Sequence, residues 1–300
     1  MDPETVVIII LNGMFYALSL FLITIGLNIL YSFMRVLNIA HGGLYATGAF
    51  LTWALMNAAA KAGYPIYILW LCIPAGAFLV GLIGLVIEPL LFKRLYRLRE
   101  EYSLLATFGL MLVFDDSLRM IFGGSPLSAN QLYNWMGTLT ILGKAYPSYN
   151  FVIYAFAIAV ALGLWIFFFK TKMGRILRGT AQDREMSTCL GVNVSILYTE
   201  TFFLAVFIAG LGGAIYLPAT NAYSGMGFEP IVLSFAVMII GGLGSLKGAL
   251  VAASMIGLVR AFGIALIPEL ELAVVFLILI MTLIFRPRGL FGKKFTREEK

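Results

Sequence analysis

Apolar residues fill the chain in long runs, and short polar stretches divide them. Hydropathy places the runs at residues 6–31, 36–59, 65–87, 103–123, 149–169, 198–221, 230–244, 247–267 and 270–285. Roughly 20 apolar residues in helical form cross a bilayer core, and the uncharged stretch from Val6 to Met34 is too long for a core helix of a water-soluble domain. The pattern predicts an all-α, polytopic transmembrane helical bundle of about eight or nine spans, with broken or re-entrant helices allowed, as a single transmembrane domain over residues 1–300. A transmembrane barrel would show strict alternation in segments of about ten residues, and the chain has none. The opening residues, MDPET, lack the basic stretch of a cleavable signal, so the first run reads as a permanent span.

Composition sharpens this picture. Hydrophobic residues make up 61% of the chain and charged residues 12%, far from the usage of soluble domains. A net charge of +6 suits nucleic acid until the charges are located. Most Lys and Arg gather in three clusters: Lys93, Arg94, Arg97 and Arg99; Lys170, Lys172, Arg175, Arg178 and Arg184; and Arg286, Arg288, Lys293, Lys294, Arg297 and Lys300. Inner loops retain Lys and Arg, so all three clusters are expected on the cytoplasmic face, with the N-terminus outside and the C-terminus inside. No nucleic acid is needed to explain them. Residues 124–148 carry only Lys144 and read as an outer loop with a short hairpin or interfacial helix. Two cysteines, Cys72 and Cys189, and a single His supply no disulfide framework, metal site or nucleophile triad. The scattered Asp and Glu offer no convergent set for an intramembrane enzyme.

Three strips carry candidate chemistry. GGLGSLKG, residues 241–248, suggests a phosphate loop, but Lys247 is followed by Gly248 where a Walker A motif needs Ser or Thr. Gly241, Gly242 and Gly244 then mark either a tight turn between spans or a re-entrant segment. VLNIAHGGLYATGAF, residues 36–50, brings Asn38 and His41 onto one helix face beside Gly43. Polar side chains in a span face protein or water, so these two either line a path or hydrogen-bond between helices. The two glycine-rich strips look alike, as an internal duplication would. The third strip, KTKMGRILRGTAQDREMSTCLGVNV, residues 170–194, allows a short helix from Gly179 to Leu190 with Gly191 as its stop. An ordinary basic inner loop explains its charge; an amphipathic helix ending in Gly suits docking of a soluble partner.

The segments LNIAHGGLYATGAF, MGRILRGTAQDREMSTCLGV, IIGGLGSLKGALVAA and RPRGLFG, in this order and spacing, resemble the permease subunits of branched-chain amino acid ABC importers, of the shorter permease type. The resemblance implies a second permease subunit, two cytoplasmic ATPase subunits, an extracytoplasmic substrate-binding protein, and residence in the lipid bilayer of a prokaryotic plasma membrane. It implies no enzyme activity or cofactor in this chain, ATP and Mg being used by the partner ATPases. It also implies a cytoplasmic coupling loop at about 170–197. There Glu185 and Gly191 match the spacing of an E-A-A-x-x-x-G docking helix, with Met186 and Ser187 in place of the alanines. On this reading Arg175, Arg178, Arg184 and Glu185 couple to the ATPase and Gly191 ends the helix. Asn38, His41, Gly43, Gly241, Gly242 and Gly244 shape the translocation path. Related importers of urea, amides or other amino acids are the near alternatives. An ion-coupled carrier is the more distant one, with Asp115, Asp116, Arg119, Glu200 and Arg260 as candidate ion sites; for Asp115 and Asp116 the helical spacing to Arg119 suggests a local ion pair.

Overall fold

The computed structural model describes residues 2–96 and 99–292; of the basic clusters, Arg97, Lys293, Lys294, Arg297 and Lys300 lie outside the described residues. The chain runs through α1 (Pro3–Met34), α2 (His41–Lys61), α3 (Leu69–Ile87), a π-helical turn (Glu88–Phe92), α4 (Lys93–Leu95) and α5 (Glu100–Phe122). After β1 (Leu127–Ser128), α6 (Gln131–Met136) and the hairpin β2 (Thr138–Ile141) and β3 (Lys144–Pro147) come α7 (Tyr149–Lys170), α8 (Lys172–Gln182), α9 (Arg184–Cys189) and α10 (Val194–Tyr216). The final elements are β4 (Asn221–Ala222), α11 (Phe228–Gly241), α12 (Leu246–Leu266) and α13 (Glu271–Phe285). Each apolar run coincides with a helix. Among the described residues six helical segments are long and apolar enough to cross a membrane. The other three runs correspond to α2 and α5, which carry more polar residues, and to α11, which has only 14 residues.

Helices α1 and α10 form the centre. In lipid no hydrophobic force joins one apolar helix to another, so association depends on close packing and hydrogen bonds. Small residues provide the approach: Gly13 of α1 lies against Gly257 of α12, and Gly48 of α2 against the backbone of Gly210 in α10. Burial falls off outward, from 72% of the apolar window containing α10 to 6% of that containing α13, which puts α13 at the rim.

The bundle has two distinct ends. At one, Tyr96 lies beside Met34 and Tyr198, Arg184 stacks on Tyr198, and the residues after α13 bond the end of α11. The described parts of all three basic clusters thus share this basic end. At the other end residues 123–148 fold over α1: Lys144 donates to Thr5, and Tyr146 shares a hydrogen bond with Tyr154 of α7, whose hydroxyl meets the Leu11 carbonyl at 2.7 Å. This segment contains both a short helix and a hairpin. Leu142 and Gly143, both at positive φ (48° and 79°), make the two-residue turn whose twist suits paired strands.

Candidate translocation site

Helix α2 does not begin at the surface. Hydropathy starts this span at residue 36, but Arg35 at φ 55° ends α1, and residues 35–40 stay non-helical up to His41. The Thr107 hydroxyl of α5 supports the break: it accepts the Ile39 amide at 3.1 Å and donates to the Ser103 carbonyl at 2.8 Å. Non-helical backbone at membrane depth survives only where protein or water satisfies it. The His41 imidazole packs where a Cβ on Gly26 would fall, 2.7 Å from Nε2. Gly26 precedes the end of α1 by two helical turns, roughly 12 Å at ~1.5 Å per residue. The start of α2 therefore lies inside the bundle, where it meets the start of α11: a Cβ on Gly42 would lie 2.5 Å from the Gly227 carbonyl oxygen.

Polar groups at this junction are poorly satisfied among the described residues. Asn38 and His41 are fully buried. Among the described residues neither amide atom of Asn38 nor either ring nitrogen of His41 makes a hydrogen bond of normal geometry; the Ile23 carbonyl is a polar neighbour of the ring. The buried Ser234 hydroxyl of α11 is also unpartnered. It lies three positions beyond Ile231, the residue that abuts Gly42. Leaving such groups dry costs about 1–3 kcal/mol each, and sites that bear this cost call for a ligand, water or movement to explain them.

A cavity of about 160 Å³ lies over this junction, toward the end covered by residues 123–148. Tyr45, one turn after His41, and Ile23, three residues before Gly26, are among its lining. Tyr16, Glu229 and Arg260 also line it. Arg260 of α12 pairs with Glu229 of α11 and, at 3.4 Å, with Glu271 of α13. Its guanidinium carbon sits 4.1 Å from the centre of the Tyr16 ring, and the Tyr16 hydroxyl donates to Glu229 at 3.2 Å. Sequence reasoning named Arg260 alone; Glu229 and Glu271 are the missed members, legible only as acidic residues beside apolar runs. Asp115 accepts from the Ser224 hydroxyl and the Gly225 amide, holding the loop that leads into α11. It makes no ion pair with Arg119 among the described residues, contrary to the expectation from spacing.

The other glycine strip folds as a tight turn. Gly242 and Gly244 take φ of 97° and 81°, a region that side chains disfavour, and Ser245 caps α12 by accepting the Gly248 amide at 3.0 Å. Asn28, an isolated polar residue in α1, holds the turn from across the bundle. Its Oδ1 accepts the Gly244 amide at 2.8 Å and its Nδ2 donates to the Ser245 carbonyl at 3.0 Å. RPRGLFG folds back as well: the Leu290 and Phe291 amides donate to the Ile240 and Gly241 carbonyls, closing the end of α11. Asn38, His41 and Gly43 thus stay together at the start of α2, where Gly43 backs onto Phe114 of α5. Gly241, Gly242 and Gly244 form a separate structure.

At the basic end the expected helix from Gly179 to Leu190 is divided in two. Asp183, at φ −145° and ψ 103°, leaves α8 and caps α9 by accepting the Met186 amide at 2.8 Å. Gly191, at φ 85°, ends α9; its amide donates to Thr188 and that of Val192 to Ser187, a Schellman pattern. Arg175, Arg184 and Glu185 are exposed, as are the apolar Met186 and Leu190. Arg178 lies over the Phe169 ring at 4.7 Å. From Arg184 a line of contacts leads inward: its guanidinium carbon is 5.1 Å from the Tyr198 ring, and Tyr198 meets Tyr96 edge-on at 5.5 Å. The Tyr96 hydroxyl donates to Glu88 at 3.1 Å, as does Thr199 at 2.8 Å. Burial, and next the Glu88 carboxylate, push the Tyr96 phenol well above its ordinary value, so it remains a donor. Glu88 is fully buried in the π-helical turn.

Long apolar helices, a span interrupted at depth and a charged cavity above unpartnered polar groups define a multi-pass membrane transport protein. The comparison with known proteins makes this specific. The chain belongs to the family described as branched-chain amino acid transport system / permease component, which matches residues 9–284. It is 26% identical over 295 residues to the high-affinity branched-chain amino acid transport system permease protein LivH of Escherichia coli (strain K12), covering 94% of each chain. It is 24% identical over 292 residues to the corresponding BraD of Pseudomonas aeruginosa, covering 95% of each. A second type of permease, LivM of Salmonella typhimurium, is 24% identical over 299 residues, spanning 89% of this chain and 66% of LivM.

Proposed function

We propose that the chain is a transmembrane permease subunit of an ATP-driven importer that carries branched-chain amino acids into the cytoplasm. It would pair with a second permease, dock two cytoplasmic ATPases that bind the ATP and Mg, and receive substrate from an extracytoplasmic binding protein. The observation that carries this reading is the likeness over nearly the whole chain to LivH and BraD permeases. The basic end is then cytoplasmic, by the retention of Lys and Arg in inner loops, and the N-terminus is outside.

The geometry suggests how such a subunit works. α9 offers Glu185, Met186 and Leu190 to a groove of the ATPase, flanked by Arg175 and Arg184 and ended by Gly191. Closure of the ATPases moves α8 and α9, and the line Arg184, Tyr198, Tyr96, Glu88 passes the movement to the end of α3. The path runs from the outer cavity past His41, Asn38 and Gly43 toward the basic end. Gly241, Gly242 and Gly244 act at one remove, by holding the turn and the end of α11 against α1. Alternating access exposes the polar atoms of Asn38 and His41 to each side in turn.

The test is ATP-dependent uptake of radiolabelled leucine, isoleucine, valine and urea by proteoliposomes containing the whole assembly. Uptake of the three aliphatic amino acids without urea, abolished when the ATPases are inactivated, is expected. Uptake that survives ATPase inactivation but collapses with the ion gradient would establish a carrier instead. In the same assembly, Glu185→Arg is expected to lower co-purification of the ATPases at least tenfold while the permease pair stays intact; undiminished association removes the docking role from α9.

A further inference from the structure

We infer that Arg260 and Glu229 form a receiving site for a zwitterionic α-amino acid, Arg260 taking its carboxylate and Glu229 its ammonium, while the side chain points down toward Tyr45 and Ile23. The inference deepens the importer reading and rests on it.

The charge arrangement points to a ligand with two opposite ends. One guanidinium serves two carboxylates, Glu229 through Nη1 and Glu271 through Nη2. A tie between α11 and α12 needs only one carboxylate, and ionisable groups inside a membrane bundle are costly enough to mark function. An incoming carboxylate can replace Glu229 on Nη1 while Glu271 keeps Nη2, because a guanidinium has five donors in a fixed fork. Glu229, so released, accepts the ammonium group. Every charge then has an opposite neighbour.

Mobility and shape agree with this exchange. The Arg260 side chain is 13% exposed and pinned against the Tyr16 ring, whereas that of Glu229 is 46% exposed at the mouth. The anchor is the more enclosed of the two, and its partner, which also accepts from the Tyr16 hydroxyl, has open space to turn into. A cavity of about 160 Å³ is well below the ~300–1,000 Å³ of pockets for drug-sized ligands and suits a small solute. Below the charged pair its lining includes Leu20, Ile23 and Tyr45, beside Ser19, whose hydroxyl is spent on the Phe15 carbonyl at 2.8 Å, so no charged group lies there. An aliphatic side chain is accommodated there and a charged one is not. Beneath lies His41, so the side chain leads and the charged ends follow.

Equilibrium binding of radiolabelled leucine to the purified permease and ATPase assembly, without the binding protein, tests the site. In the unmodified protein, unlabelled isoleucine is expected to compete. Isopentylamine, which lacks the carboxylate, and 4-methylpentanoate, which lacks the amine, should need at least 100-fold more. Arg260→Gln and Glu229→Gln should each weaken leucine binding and uptake at least tenfold. Competition by either analogue as strong as by isoleucine overturns the proposal, and this measurement needs no variant to fold. Variants that assemble, bind and carry leucine within twofold of the unmodified protein overturn the site and leave the importer intact. An assembly that binds another zwitterion through these two residues but carries no branched-chain amino acid keeps the site and overturns the substrate. Binding of no zwitterion at all overturns the site, and the importer is then judged by uptake with the binding protein present.

Discussion

The two glycine-rich strips, so similar on paper, are used in opposite ways. In GGLGSLKG the turn is held by Asn28, Ser245 and the returning segment at Leu290 and Phe291, and its exposed amides and carbonyls are answered. In VLNIAHGGLYATGAF the backbone is supported by Thr107, but among the described residues the buried Asn38 amide has no hydrogen-bond partner and the buried His41 ring has only the Ile23 backbone as a polar neighbour. One strip closes a structure; the other leaves polar capacity open at depth. A membrane protein tolerates the second only where another state, water or solute completes it. Glycine content therefore says where backbones approach, and the hydrogen bonds say which approach is satisfied.

This contrast can be broken experimentally. The largest effect is expected from Gly42→Val, whose Cβ would press on the Gly227 carbonyl oxygen. Overpacking of this kind costs about 1–3 kcal/mol or more, so the yield of monodisperse permease on size exclusion should fall sharply. Next, Asn38→Leu and His41→Leu should lower leucine uptake at least tenfold while the melting temperature of the purified assembly holds or rises. Removing an unpaired buried polar group is neutral or favourable. A lowered melting temperature with normal uptake would make this junction as structural as the turn. The smallest effect on transport is expected from Asn28→Leu, which leaves the Gly244 amide and Ser245 carbonyl unanswered, at about 1–3 kcal/mol of stability. Thermal unfolding in detergent should register the loss, and uptake per folded molecule should change little.

The break before α2 shows why part of the site was illegible. Residues 36–40 include Val36, Leu37 and Ile39, so hydropathy counts them into the span. What stops the helix is Arg35 in the left-handed region and a hydroxyl on Thr107, about 70 residues away in the chain. The turn at 242–245 was ambiguous for the same reason, since Asn28 and Leu290 decide it from afar. Asn38 and His41 were legible because a polar residue in an apolar run is conspicuous alone. Gly191 was legible because a helix stop is local. Asp183 was not read as a second cap, although Asp is a favoured N-cap residue, because the surrounding pattern allowed one continuous helix.

By itself the sequence determined the positions of the apolar helices, the gathering of basic residues and the turn-rich segment at 124–148. Each of these follows from a sum over neighbouring residues: transfer free energy along a run, charge along a loop, turn chemistry over a few positions. Only the tertiary structure decided which polar groups find partners, and hence that Asn28 is mortar while Asn38 is left open. Only it joined Glu229, Arg260 and Glu271, from three helices, around one cavity. Hydrogen bonds and ion pairs are short-ranged and directional, so their completion depends on distances that no stretch of chain contains.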